Sequence, residues 1–60
     1  MSKVTVVNSG TKIDYRIFKS IVDDVDFLAG KSYSIADIAV CISEKYGLNT
    51  KAENDKVYLT

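Results

Sequence analysis

A chain of 60 residues has room for one small domain, residues 1–60, and its single cysteine without any histidine excludes an intrachain disulfide and a Cys/His zinc set. Eight Lys and Arg balance eight Asp and Glu, four of each sign in either half, so the basic excess that drives most nucleic-acid binding is missing. With 47% hydrophobic and 27% charged residues the composition is that of a soluble globular protein, and no apolar run approaches a membrane span of ~18–20 residues.

The first element is Lys3-Val4-Thr5-Val6-Val7, a β-branched alternation that predicts a strand with one buried face. The apolar stretch is too short for a signal peptide, and with the unpaired Cys41 this points to a cytoplasmic location. Asn8-Ser9-Gly10 breaks the strand as a turn.

Thr11 and Asp14 have capping-box spacing, and Asp14 can itself act as the cap. A helix follows over about 13–29, its apolar residues Ile17, Phe18, Ile21, Val22, Val25, Leu28 and Ala29 falling within an arc of roughly 120°. Gly30 is expected to supply the left-handed residue that ends it. Ser34 and Asp37 cap a second helix, with Tyr33 stapled onto Ile38 and a buried stripe of Ile35, Ile38, Ala39, Ile42 and Tyr46. Gly47-Leu48 reads as a Schellman ending.

The tail predicts a hairpin, Thr50–Glu53 and Lys56–Thr60 about a turn at Asn54-Asp55. An isolated hairpin is marginal in water, so it should pair with the N-terminal strand in an antiparallel or mixed sheet. The expected fold class is α+β in the order β-α-α-β-β, with both helices on one face of a three-stranded sheet.

Catalytic chemistry has little to draw on. The commonest general base is absent, the three glycines are committed to turns and caps, and Cys41 reads as a half-buried packing residue on a helix flank. The chain is too small to enclose a substrate pocket and keep a core. No cofactor, metal or small-molecule substrate is expected, and no enzyme.

Binding features are more evident. Asp23, Asp24 and Asp26 crowd the second half of the first helix, where carboxylates oppose the helix dipole. They are either a solvated face or a contact surface for a basic partner. Phe27 projects nearly opposite the apolar stripe and is either a binding anchor or a residue turned inward by an unwound last turn or packed under the 30–33 loop. Val40, Ala36 and Cys41 on the outer second helix offer a small homodimer contact. Tyr58, between Val57 and Leu59, should lie on the sheet face away from the helices with Thr5 and Val7, flanked by Lys3, Lys51 and Lys56.

Residues 31–46, Lys-Ser-Tyr-Ser-Ile-Ala-Asp-Ile-Ala-Val-Cys-Ile-Ser-Glu-Lys-Tyr, resemble the winged-helix segment in which a short strand leads into the second helix. The preceding helix and the terminal hairpin, as a wing, are in matching order, so the resemblance extends loosely over 13–60. It departs where Gly47-Leu48-Asn49 runs straight into the tail, in place of the helix that reads the major groove. The resemblance therefore implies a relative without its DNA-reading element, a type that serves as a protein-binding module. In size and style the chain is also similar to phage-encoded viral proteins that bind and inhibit host enzymes or defence complexes.

The resulting expectation is a non-enzymatic protein-binding module, an inhibitor or regulator, acting through Asp23, Asp24, Asp26 and Phe27, with Tyr58 marking a second surface. A nucleic-acid-binding regulator using Lys51, Lys56 and the hairpin, or Lys12, Arg16 and Lys19, is the alternative.

Overall fold

The structure, a computed structural model, describes residues 3–60. In chain order it contains β1 (Thr5–Asn8), α1 (Tyr15–Gly30), α2 (Ile35–Tyr46), β2 (Thr50–Glu53) and β3 (Lys56–Leu59). This is the anticipated α+β arrangement. The sheet is mixed: β3 is central, with β1 parallel on one side and β2 antiparallel on the other. Strand β1 begins at Thr5, later than its β-branched run, because pairing starts there: Thr5 N–H donates to Asp55 O at 2.9 Å, and Thr5 aligns with Lys56.

Cap chemistry sets the helix boundaries. Asp14 is the N-cap of α1, its Oδ1 accepting from Ile17 N–H at 3.0 Å, and Ser34 Oγ accepts from Asp37 N–H at 3.2 Å to open α2. Thr11 has no part in the first cap. Gly47 ends α2 in the left-handed region at φ 67, and Leu48 N–H closes back on Ser43 O at 3.2 Å, the long bond of a Schellman ending. Ser43 Oγ also donates to Leu48 O at 2.6 Å.

One cap expectation fails. Gly30 is the last helical residue, and the left-handed position is Ser32 at φ 66. The reason is that α1 runs one residue further, through Gly30, and closes with bonds from Lys31 N–H to Phe27 O and from Ser32 N–H to Ala29 O. Residues 31–34 form a turn and no strand leads into α2. Residues 47–49 join α2 directly to β2, so among the described residues no third helix intervenes.

The core is Ile21, Val25, Ile38, Ala39, Ile42, Val57 and Leu59, drawn from both helices and the central strand. Since Val57 and Leu59 point to one face of β3, both helices cover that face and the other stays open. Thr50 Oγ1 donates to Ala39 O at 2.7 Å, tying β2 to α2. No helix is long and apolar enough to cross a membrane among the described residues.

Candidate functional site

Helical geometry separates the three carboxylates that sequence places side by side. At about 100° per residue, and measured from buried Ile21, Asp26 lies at about 140°, Asp23 at about 200° and Asp24 at about 300°. Asp24 therefore faces α2. Its carboxylate accepts from Lys45 Nζ at 2.9 Å and from Tyr46 Oη at 2.5 Å, and it is about one-third exposed. The Tyr46 hydrogen bond, then the Lys45 ammonium, holds the Asp24 carboxyl below its ordinary value. The same bond, with burial, pushes the Tyr46 hydroxyl up to about 12. Asp24 is thus an interhelical clamp and is already partnered.

Asp26 lies about 40° to the other side of the outward direction, exposed on the rim of an open bowl that Lys3, Val4, Tyr33 and Asp55 also line. Asp23 alone points straight outward. The acidic face of three side chains is therefore not a single surface. Among the described residues no group of three or more Cys, Asp or Glu is placed to hold a metal ion.

What the outer half of α1 presents is a mixed surface bounded by two aromatics. Tyr15 is 73% exposed and Phe27 64%, the largest values among the exposed large hydrophobics. They lie about 18 Å apart along the helix. Between them stand exposed Arg16, Lys19, Ser20, Asp23 and Asp26. Positive charge occupies the N-terminal half and negative charge the C-terminal half, with no acid in the first turn and no base in the last. Arg16, in the first turn, opposes the helix dipole at about 0.3–1 kcal/mol, an effect that fades beyond the terminal turns. Lys19 Nζ lies 6.0 Å from the Tyr15 ring centre and Lys31 Nζ 5.3 Å from that of Phe27. The ion pair found among the described residues is Lys45–Asp24, so none engages Arg16, Lys19, Asp23 or Asp26. Tyr15 was legible as an outward position from the same periodicity that marks Phe27.

Beside Phe27 a shallow groove runs between the helices, lined by Asp24, Leu28, Cys41, Ile42 and Lys45. Cys41 is exposed on its rim, which corrects the expectation of a half-buried packing residue. Asp24 bridges to Lys45 and Tyr46 across the helices, and Cys41 lines the groove beside that contact. Val40 is also exposed, at 56%. Tyr33, read as a staple on Ile38, is 50% exposed.

The open sheet face is built by register. Tyr58 aligns with Val7 of β1 and Lys51 of β2, while Lys56 aligns with Thr5 and Glu53. These six side chains share the face opposite Val57 and Leu59. Tyr58 and Val7 are half-buried, and Lys51 and Lys56 are exposed. Comparison of the chain with protein-family models, with curated proteins and with solved structures finds no match to any of them.

Proposed function

We propose that this chain is a small, non-enzymatic protein-binding module, an inhibitor or regulator, and that its contact surface is the outer face of α1. One observation carries the reading: Tyr15 and Phe27 stand exposed on the side of the helix that no other element covers, with Asp23 between them. Exposed aromatics set among charges have the composition of interface anchors, since a ring buries a large area with few rotamers to freeze. Of the residues first singled out, Phe27, Asp23 and Asp26 remain in the proposed surface. Asp24 leaves it, because its carboxylate is committed to Lys45 and Tyr46.

A second reading draws on the open sheet face, where the register sets Tyr58 between Val7 and Lys51 with Lys56 nearby. An aromatic among lysines on a sheet is the pattern with which single-stranded nucleic acid is stacked. It ranks lower because one ring is not a stacking platform and Glu53 offsets part of the charge.

Affinity capture separates the two. Bait chains carrying Phe27→Ala with Asp23→Lys, or Lys51→Glu with Lys56→Glu, are compared with the unaltered chain after circular dichroism has confirmed their folding. The proposal predicts a protein retained in stoichiometric amount by the unaltered chain and the sheet variant, and lost by the helix variant. Retention of nucleic acid that the sheet variant loses, or retention unaffected by the helix variant, would overturn it.

A further inference from the structure

The charge order along α1 has a property that a generic contact surface does not require. Consider a second copy laid antiparallel on the outer face, related by a two-fold axis at the level of Ile21. Residues equally far before and after Ile21 then stand at the same height on the two copies, because the axis reverses height, and those near the centre of the outer face meet across it. Lys19 meets Asp23 of the second copy near the centre of the face, and the Arg16 end of one helix lies over the Asp23–Asp26 end of the other, with Tyr15 and Phe27 on the two flanks. All six side chains are exposed. The basic half of each helix thus lies over the acidic half of the other.

We infer that the partner of the α1 outer face is a second copy of this chain, bound antiparallel about a two-fold axis near Ile21. The inference rests on the reading of α1 as the contact surface and adds the identity of its occupant. Three observations support it. In the isolated chain the charged halves of α1 oppose its own dipole; in the pair each half lies against its complement. No ion pair within the described residues engages these four charges, so none must be broken. A parallel pairing is disfavoured by the same pattern, since it would set Lys19 on Lys19 and Asp23 on Asp23. The face of a 16-residue helix is only about 24 Å long, which places the contact at the small end of specific interfaces. The dimer is therefore concentration-dependent.

The symmetry permits a charge-exchange test. Lys19→Asp alone sets acid against acid at both related positions, and Asp23→Lys alone sets base against base. Mixed together, the two variants form a heterodimer in which both pairs are again opposite. Sedimentation velocity of the purified full chain from about 5 µM to about 500 µM should show a monomer–dimer equilibrium. Each single reversal should weaken it by about tenfold or more, and the equimolar mixture should recover it. The double exchange Lys19→Asp with Asp23→Lys should recover it within one chain. A monomer throughout, or a mixture no more dimeric than its components, would overturn self-association. If that monomer still retains another protein that Phe27→Ala releases, the α1 contact surface stands and only its occupant is wrong. A dimer that neither reversal weakens would remove α1 as the interface altogether.

Discussion

Asp24 shows how far a single side chain's role depends on residues distant in sequence. Its neighbours Asp23 and Asp26 carry the same group, yet only Asp24 lies where Lys45 and Tyr46 can reach it, about twenty positions later. The hydrogen bond lowers the Asp24 value below its ordinary 3.8, so its stabilising contribution is present above 3.8 and is lost as pH falls through the lower folded value. Tyr46 is raised from 10.0 to about 12, so its contribution is present below 10.0 and is lost as pH rises toward about 12. Tyr46→Phe should therefore reduce stability by about 1 kcal/mol between about pH 5 and about pH 9, the difference narrowing at either extreme. Urea unfolding of both chains across that range checks this; a constant difference would show that the clamp is not the cause. The sequence carried half of this story. Tyr46 was legible as a structural residue from its place on the buried stripe, but helical spacing could not reveal which of three aspartates it would meet.

At the scale of elements, capping chemistry was legible and one cap was misplaced. Asp14, Ser34 and Gly47 act as their residue types suggest, because an N-cap oxygen and a left-handed glycine are local requirements. Gly30 looked like the same device. The helix includes it as its last residue, however, and Ser32 takes the left-handed position instead. Opposite effects follow from the two assignments. A Cβ at Gly30 meets nothing within 4 Å, and the backbone there is not left-handed. Gly30→Ala should then stabilise the protein by about 0.5 kcal/mol through helix propensity and a less flexible unfolded chain. Had Gly30 been left-handed, the same change would destabilise it by about 1 kcal/mol. Ser32→Gly should also stabilise, by a few tenths of a kcal/mol, since relief of the positive φ outweighs glycine's entropy. Thermal unfolding of both variants decides the assignment. Strand content was legible from alternation, but β1's parallel pairing was not. Its partner is fixed by where the hairpin returns, which local pattern does not encode.

For the whole molecule, the arrangement leaves the outer faces of α1 and α2 and the open face of the sheet with nothing packed against them among the described residues. The sheet face was foreseeable, because alternation about Tyr58 sends Val57 and Leu59 inward and leaves the tyrosine outside. The helix face was foreseeable only in part. Phe27 and Asp23 were visible as outward residues, while the bracketing of the face by Tyr15 and Phe27 and its division into basic and acidic halves emerge once the helix is known to run unbroken from Tyr15 to Gly30. We propose that the α1 face, and not the sheet face, is where this protein makes contact. Backbone amide chemical shifts followed through a dilution series test it residue by residue. The account predicts concentration-dependent shifts concentrated on Tyr15, Arg16, Lys19, Asp23, Asp26 and Phe27, with Lys51, Lys56 and Tyr58 unmoved. Shifts centred on Tyr58 and its neighbours would contradict it.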